Sequence, residues 1–512
     1  RGSIGIPVSS SSDIFVFEAI MNAGTIGWGM IGVVDNGSPI QTGDFRSYKS
    51  GAAWEGGGAC DGLNPTYGYG LQETAASGFT YALNDVVGVE VNCSNGDVKF
   101  YKNGTYQFTQ SALSGVSALT TDRDWFPTCV MEGPATGDWD FIFAEADMTY
   151  FGSYAAGSKT ICTANLPAPA ITVPTDYFNT KIFTGTGAEN ALTFGGINAM
   201  QPDLVWIKDR DTAVEHVLTD AVRGATKELN SDSTLAETTV AQGLKTFDAD
   251  GFTLGTDGNY NTSSSLNVAW AWKANGAGAS NTDGTITATV SANTTAGFSI
   301  ISYTGNVTAG ATIGHGLTAA PEFIITMIRG TAAYEHACYH VGAGATKALW
   351  LDGTAAAATD VTYWNNATPS SSLITLGSGG RTNKVDTIIA YAWHSVPGYS
   401  KFGSYTGNAS TDGPFVHCGF RPRWVLFKGS TAVDNWVIWD TERDTYNNCT
   451  NLLLPNSTAA ESSYAGESID ILSNGFKVRY AGYPNTSGVT YIYAAFAEYP
   501  FGGDGVSQAR AR

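Results

Sequence analysis

The chain has 512 residues and a formal net charge of −19, with 14% charged residues and 43% apolar residues. That length indicates about three to four domains, and the apolar fraction is high enough to fill their cores, so extended disorder is excluded. A surface this short of cations repels phosphates, which argues against nucleic acid and anionic membranes as partners, and no run of about 18 apolar residues predicts membrane insertion.

The secondary-structure signal is almost entirely that of β-strands. Short runs of β-branched and aromatic residues are broken every eight to twelve residues or so by Gly, Asn, Asp or Ser, which is typical of antiparallel sandwiches. Four dipeptides that favour tight turns mark predicted hairpin tips: Asn95-Gly96, Asn103-Gly104, Asp250-Gly251 and Asn474-Gly475. Weak helical signals occur in residues 235–247 and 355–358. The predicted fold class is therefore all-β, as tandem antiparallel β-sandwiches.

Residues 1–160 form the first predicted sandwich. The chain starts with Arg1 and runs directly into the apolar alternation of residues 13–20, so we expect it to begin inside a domain of a longer protein. Four further segments alternate apolar and polar residues, as strands with one buried face do. They are residues 28–33, 87–91, 96–104 and 125–130.

The order of motifs in residues 88–130 resembles the SPRY (B30.2-like) domain, a concanavalin-like sandwich. The motifs are G-V-x-V, then N-G-D-V-x-F-Y-x-N-G, then F-P. The resemblance implies that residues 1–160 are a SPRY-like β-sandwich whose usual first strand is cut short.

Three aromatic residues of this first domain are candidates for ligand binding. Trp54, Tyr67 and Tyr69 lie in a stretch where aromatic residues alternate with glycines, which could place their rings on an exposed rim. Aromatic faces beside Asn, Asp and Gln side chains commonly hold sugars in β-sandwiches. The alternative is that these rings belong to the packed core of the sandwich.

A proline-rich linker separates this domain from three related repeats. The linker covers residues 161–177, and the prolines at 167, 169 and 174 favour an extended conformation. The repeats are predicted at residues 178–273, 298–394 and 400–498, each about the size of one sandwich. A connecting ribbon at 274–297 joins the first two repeats, and a tail follows at 499–512.

Each repeat opens with an aromatic residue, Thr and Gly, and closes on an apolar strand that contains small residues. The opening triplets are Phe183-Thr184-Gly185, Tyr303-Thr304-Gly305 and Tyr405-Thr406-Gly407. The closing strands cover residues 268–272, 389–393 and 493–496. Triplication of one sandwich is the simplest account of this pattern.

Several polar residues recur at equivalent positions of the repeats. His336 and His340 have a spacing that suits zinc on a helix, but their surroundings indicate a strand, where the side chains spread about 13 Å apart. Repeats 1 and 3 have His216 with Asp220 and Trp436 with Asp440 at these positions, which favours a structural role. Asp220 with Arg223 and Asp440 with Arg443 are expected to form ion pairs or interface contacts.

No cofactor, metal site or catalytic residue is predicted. Residues 248–251 resemble the start of a calcium loop but lack its later ligands, which favours a hairpin tip. The chain lacks both the nucleophile motif of serine hydrolases and a phosphate-binding glycine loop, so we expect no enzymatic activity. The seven cysteines are scattered singly, and buried free thiols are expected.

The repeats look like proteins of tailed bacteriophages, especially marine ones. The resemblance rests on residues 201–208, the Gly-Ala-Thr-Lys segments, residues 401–407 and the ending at 494–503. It implies a virion structural protein, such as a tail-fibre or appendage component, that is made in the bacterial host cytoplasm and acts in assembly and host-surface adhesion.

The expected partners follow from the same resemblance. They are other virion proteins, further copies of the chain, as a trimer in a fibre, and a host-surface glycan. The alternatives are a capsid-decorating or purely architectural filament protein without a ligand, a polysaccharide-degrading enzyme, and a cellular surface adhesin built from the same modules.

Overall fold

The structure is a computed structural model that describes residues 14–24, 29–35, 51–55, 60–63, 71–74, 80–93, 97–110, 125–131, 137–161, 165, 169–463 and 468–501. Contacts divide the chain into two compact units that meet in sequence between residues 168 and 169. The all-β prediction is confirmed for the described residues. None of the helices found there is long and apolar enough to cross a bilayer.

Unit 1 contains two antiparallel sheets. Its strands are β1 (Ile14–Gly24), β2 (Gly29–Asp35), β3 (Gly51–Glu55), β4 (Cys60–Leu63), β5 (Leu71–Thr74), β6 (Val86–Asn92), β7 (Val98–Lys102), β8 (Thr105–Gln110), β9 (Trp125–Met131), β10 (Gly137–Ile142) and β11 (Lys159–Thr160). Two 3₁₀ helices cover Glu145–Asp147 and Phe151–Ser153.

The two sheets of unit 1 share one core. The first has the order β10-β1-β6-β7-β8, with β11 parallel to β1, and the second has the order β5-β4-β3-β2-β9. Phe15, Phe17 and Phe100 of the first sheet belong to the same buried cluster as Ile31 and Val33 of the second. Unit 1 is therefore a β-sandwich.

The Asn103-Gly104 dipeptide forms the predicted hairpin tip between β7 and β8. Asn103 has a φ of 48° and Gly104 a φ of 75°, the left-handed conformations that such a turn requires. The side-chain oxygen of Asn103 also accepts a hydrogen bond from the backbone N–H of Val86 at 2.8 Å. Asn95-Gly96 lies outside the described residues.

Unit 2 contains the three repeats. The strands of repeat 1 are β12 (Phe178–Thr184), β13 (Asn190–Leu192), β14 (Leu204–Asp209), β15 (Val217–Asp220), β16 (Lys227–Asn230), β17 (Thr238–Thr239), β18 (Leu244–Asp248), β19 (Gly251–Leu254) and β20 (Leu266–Trp272). A ribbon of β21 (Ala279–Asn281) and β22 (Ala288–Asn293) follows.

Repeats 2 and 3 follow the same order of strands. Those of repeat 2 are β23 (Phe298–Thr304), β24 (Thr312–Gly314), β25 (Phe323–Ile328), β26 (Ala337–His340), β27 (Lys347–Trp350), β28 (Ala358–Thr359), β29 (Leu373–Thr375) and β30 (Thr387–Trp393). Those of repeat 3 are β31 (Ser400–Thr406), β32 (Phe415–His417), β33 (Phe420–Gly429), β34 (Trp436–Asp440), β35 (Asn451–Leu452), β36 (Ser462–Ser463), β37 (Ile469–Leu472), β38 (Gly475–Val478) and β39 (Thr490–Pro500).

Short helices complete unit 2. They are α1 (Gly258–Asn261), α2 (Val361–Trp364), α3 (Gly380–Asn383) and a 3₁₀ turn at Pro174–Asp176. The segments 235–247 and 355–358, which carry weak helical signals, are not helical. They contain β17, part of β18 and the start of β28, which pair with β16, β19 and β27 of their own repeats.

Each repeat is built around its closing strand. The closing strand pairs on one side with the opening strand and on the other with the next long strand, in the orders β12-β20-β14-β15-β16-β17, β23-β30-β25-β26-β27-β28 and β31-β39-β33-β34. The ribbon strands β21 and β22 extend the sheet of repeat 2. Each repeat adds a smaller sheet: β13-β19-β18, β24-β29 or β32-β38-β37.

The large sheets of all three repeats bury side chains in one common core. Its aromatic members come from every repeat: Phe178, Trp206, Trp270, Trp272, Phe298, Phe323, Tyr391, Trp393, Tyr399, Phe402, Trp424, Trp436 and Phe496. Aromatic rings bury large apolar areas, so this cluster dominates the packing of unit 2. The three sandwiches therefore form one body with a shared centre.

The opening triplet of each repeat is fixed by a buried asparagine. In repeat 1, a Cβ on Gly185 would lie 2.0 Å from the carbonyl oxygen of Thr262. Next to it, fully buried Asn261 accepts a hydrogen bond from the N–H of Thr186 at 2.8 Å and donates to the carbonyl of Gly255 at 2.8 Å. The same arrangement recurs with Gly305 and Asn383 and with Gly407 and Asn485.

We predict that Gly185→Ala destabilises unit 2, because the added Cβ cannot fit against the Thr262 carbonyl without moving backbone. The expected cost is about 1–3 kcal/mol in the free energy of unfolding, measured by urea denaturation. Gly196→Ala is the matched control, since its nearest neighbour is at 3.4 Å. Equal stability of the two variants would contradict this account of the triplet.

Candidate functional site

The aromatic ligand candidates of unit 1 are only partly covered by the structure. Trp54 lies on β3, where its backbone is opposite Ile31 of β2 and Cys60 of β4. Tyr67 and Tyr69 lie outside the described residues. Ligand binding by these three residues therefore stays a prediction.

The recurring polar residues of unit 2 lie where one repeat meets the next. Asp220, His340 and Asp440 end the equivalent strands β15, β26 and β34, and all three are buried. Each reaches the closing strand of the following repeat. Asp220 accepts a hydrogen bond from the Tyr391 hydroxyl at 2.8 Å, and His340 Nε2 is 3.0 Å from the carbonyl oxygen of Tyr493.

Asp440 completes a cycle of these contacts. Its Oδ2 accepts a hydrogen bond from the indole N–H of Trp270, in repeat 1, at 3.1 Å. Repeat 1 therefore contacts repeat 2, repeat 2 contacts repeat 3, and repeat 3 contacts repeat 1, through the same position each time. The three repeats close on themselves as a ring.

Two of these carboxylates carry buried arginine partners, as the sequence indicated. Arg223 Nε pairs with Asp220 Oδ2, and Arg443 Nε lies 2.6 Å from Asp440 Oδ2. Both pairs have fully buried side chains. Burial alone would lower the pKa of Arg223, but the negative charge of Asp220 outweighs it and the pKa lies above its ordinary value. The pKa of Arg443 is raised in the same way, so both arginines remain charged inside the protein.

An arm from each repeat docks on the next one, and two arms carry a glutamate. Glu237 of repeat 1 binds Arg329 of repeat 2 through two hydrogen bonds of 2.8 and 3.0 Å. Glu461 of repeat 3 binds Arg210 of repeat 1 in the same way, at 3.0 and 2.6 Å. Glu461 also lies 2.8 Å from Arg443, so each glutamate joins two arginines.

The junction from repeat 2 to repeat 3 is built without these charges. Ala343, Ala357 and Ser430 stand where the other junctions have arginine, glutamate and arginine. The backbone contact survives, since the N–H of Ala357 donates to the carbonyl of Ser430 at 2.8 Å. Buried Lys428 contributes a different bond, from its ammonium to the carbonyl of Thr354 at 3.2 Å. Burial lowers the pKa of Lys428 to about 8.

The position shared by His216, His336 and Trp436 also lies at the junctions. The Trp436 indole donates to the carbonyl of Trp350 at 2.7 Å, and His336 Nε2 is 2.8 Å from the carbonyl of Asn230. Carbonyl oxygens only accept, so the His336 nitrogen carries the hydrogen. Histidine and tryptophan can share this position because each offers a ring N–H to the preceding repeat.

His336 and His340 of repeat 2 therefore face different neighbours. His336 binds repeat 1, while His340 binds Tyr493 of repeat 3 through Nε2 and accepts the N–H of Gly342 through Nδ1 at 3.0 Å. A neutral imidazole thus satisfies both contacts, because Nε2 donates a hydrogen bond and Nδ1 accepts one. Burial lowers its pKa to about 4, although the Tyr493 carbonyl opposes this shift.

The candidate calcium loop is a hairpin tip, as predicted. Asp248 ends β18, and Gly251 begins β19 with a φ of 111°. The carboxylate of Asp250 accepts backbone hydrogen bonds from Met200 at 3.2 Å and Gly195 at 3.3 Å. Both carboxylates of this turn serve local hydrogen bonds, since Asp248 binds the hydroxyls of Thr246 and Thr253.

The cysteines that the structure describes include a buried thiol at Cys338, as expected from their scattered positions. Burial raises the pKa of Cys338 well above its ordinary value. Its thiol therefore stays protonated at neutral pH, and a buried neutral thiol is chemically inert.

Comparison with known proteins assigns the repeats to a family. Residues 173–500 match the family described as a domain of unknown function, DUF7483, and the chain belongs to that family. The match spans all three repeats and the ribbon between the first two. No curated protein matches the chain.

Solved structures similar to the chain include a SPRY domain and a galectin. The SPRY domain of human HERC1 has 15% identity and a TM-score of 0.20, with coverage of 27% of this chain and 77% of that one. The galectin LEC-6 of Caenorhabditis elegans has 14% identity and a TM-score of 0.17, with coverage of 27% and 89%.

The arms are the structural element that sequence reasoning missed. The aligned segments are D-S-T-L-A-E at 232–237, D-G-T-A-A-A at 352–357 and N-S-T-A-A-E at 456–461. Their first residue accepts the backbone N–H of residue 216, 336 or 436. The repeated Thr at the third position and Ala at the fifth could have identified them.

We predict that Glu461→Ala destabilises unit 2 by about 3 kcal/mol, because it leaves buried Arg443 without one of its partners. The measurement is urea unfolding followed by tryptophan fluorescence. Glu189→Ala is the control, since Glu189 pairs with Lys245 at an exposed position where an ion pair contributes little. A loss no larger than that of the control would show that the ionic junction is dispensable.

We also predict that His340 makes unit 2 less stable as the pH is lowered. The folded state holds the imidazole neutral down to about pH 4, whereas the unfolded chain binds a proton below about pH 6.5. The stabilisation is therefore complete above pH 6.5 and is lost as the pH falls toward 4, by up to about 3 kcal/mol.

The check compares the wild type with His340→Gln, which keeps an N–H donor but does not titrate in this range. As the pH is lowered from 7 to 4, the free energy of unfolding of the wild type should decrease more than that of the variant. Parallel pH profiles would contradict the prediction.

Proposed function

We propose that this protein is a structural component of a bacteriophage particle, as part of a tail fibre or a similar appendage, and that it acts in assembly and in adhesion to the host surface. The observation that carries the proposal is the closed ring of three repeats. The ring supports a structural role, because the buried polar side chains that connect the repeats are used to hold them together.

The physical argument starts from the buried groups. Asp220, His340 and Asp440 are buried side chains of a kind that can hold a metal or serve a catalytic site. All three are bonded to a neighbouring repeat. A fold that satisfies its buried charges only when closed is costly to open, because each charge would lose its partner. Such resistance to opening suits a protein exposed outside the cell.

The proposed partners are other virion proteins, further copies of the chain and a host-surface glycan. A particle that carries several copies would convert weak individual contacts into firm attachment, because linked binding events raise the effective concentration of the later ones. No catalytic step enters this proposal.

The experiment is electron microscopy of particles of the encoding phage, with antibodies raised against unit 2. We predict labelling of the tail or its appendages, at positions that follow the symmetry of the appendage. Labelling of the capsid surface would support a decorating protein, and its absence from purified particles would refute a structural role in the virion.

A further inference from the structure

Repeat 3 contains a shallow groove at a position where side chains of the other two repeats contact one another. Its volume is about 380 Å³. Val437, Leu452 and Leu454 form an apolar floor, and Asn435, Ser462 and Tyr483 lie around it. The strand register identifies the matching positions of the other repeats, because Leu452 pairs with Ser462 as Glu228 pairs with Thr238 and Ala348 with Ala358.

Repeat 1 fills this position with its own side chains. Tyr260 of α1 is almost completely buried, and burial together with the nearby carboxylate of Glu228, the counterpart of Leu452, raises the pKa of Tyr260 well above its ordinary value. Asn259 of the same helix donates to Glu215, the counterpart of Asn435, at 3.3 Å. The helix therefore closes the space that is open in repeat 3.

Repeat 2 fills the position by a different set of contacts. The indole N–H of Trp350, the counterpart of Leu454, donates to the hydroxyl of Tyr363 on α2 at 2.9 Å. Arg381 lies over the Tyr363 ring at 5.8 Å and pairs with Glu335. The space is thus occupied by an aromatic pair and an ion pair.

Repeat 3 has neither covering element. Residues 479–489, which precede its closing strand, contain no helix. Tyr483 stands at the edge of the groove instead, where its hydroxyl donates to the backbone carbonyl of Asn435 at 2.5 Å and its ring packs against Tyr491. These contacts hold an aromatic ring at the rim, and Leu454 is the residue of the floor that stays partly exposed, since Val437 and Leu452 are buried.

The polar groups at the groove are neutral and partly unused. The side-chain oxygen of Asn435 accepts a hydrogen bond from Asn456 at 2.8 Å. Within the described residues, the amide nitrogen of Asn435 and the hydroxyl of Ser462 have no hydrogen-bond partner. A ligand can therefore meet one amide donor, one hydroxyl, an aromatic ring and the exposed part of the Leu454 side chain.

We propose that this groove binds a neutral saccharide, an inference that rests on the adhesive role proposed above. The C–H faces of a sugar ring suit the aliphatic floor and Tyr483, and its hydroxyls suit Asn435 and Ser462. A charged ligand would lose hydration without gaining an opposite charge, because no carboxylate, ammonium, guanidinium or imidazole group lines the groove. The volume fits a short oligosaccharide segment.

The test uses the full chain and a panel of neutral oligosaccharides: cellotriose, maltotriose, mannotriose and N-acetylchitotriose. Saturation-transfer NMR should detect millimolar binding of at least one of them. Ser462→Phe, which places a ring in the groove, should weaken that binding by at least about tenfold. Thr238→Phe makes the same change at the equivalent exposed position of repeat 1 and should leave the binding unchanged.

Two outcomes would overturn the proposal that the groove binds a saccharide. They are the absence of binding by every member of the panel, and binding that Ser462→Phe and Thr238→Phe affect equally. Unfolding of both variants is measured alongside, so that a loss of structure is recognised. The location of the chain on particles is an independent measurement. The groove can therefore fail while the virion role stands, and the virion role can fail while saccharide binding is observed.

Discussion

The interaction on which unit 2 depends is the buried contact that each repeat makes with the closing strand of the next. Asp220 and Asp440 lie in the interior together with their arginines, and a buried charge that loses its partner costs several kcal/mol. The two carboxylates also accept hydrogen bonds from Tyr391 and Trp270, which belong to other repeats. A single repeat cannot satisfy these groups, so closure of the ring is required for a stable interior.

Closure also explains why the repeats do not behave as an open array. In a solenoid each repeat contacts only its sequence neighbours, and the two ends need caps. Here Glu461 of repeat 3 returns to Arg210 of repeat 1, across a sequence separation of 251 residues. The ring has no free end. The shared aromatic core, in which Trp272 contacts both Trp393 and Trp424, then becomes continuous through all three repeats.

Divergence among the repeats indicates where a specific function can reside. The junction after repeat 2 lacks the ion pairs of the other two, with His340 in place of an aspartate and the Lys428 ammonium bonded to a backbone carbonyl. Repeat 3 keeps the ionic junction but lacks the helix that covers the equivalent strands elsewhere. Structure common to all repeats serves closure, whereas a feature found in one repeat is free to serve a ligand. The groove beside Tyr483 is such a feature.

The sequence by itself determined the β-class and the hairpin tips at Asn103-Gly104 and Asp250-Gly251, because strand alternation and turn dipeptides are local signals. It also indicated that a position shared by histidine and tryptophan is structural. Only the tertiary structure decided that the repeats close into a ring and that the arms are extended. The arm residues favour a helix locally, but their partners lie far away in sequence, as Glu237 and Arg329 do at a separation of 92 residues. Local patterns carry no information about such contacts, and the burial that makes them strong exists only after the ring has closed.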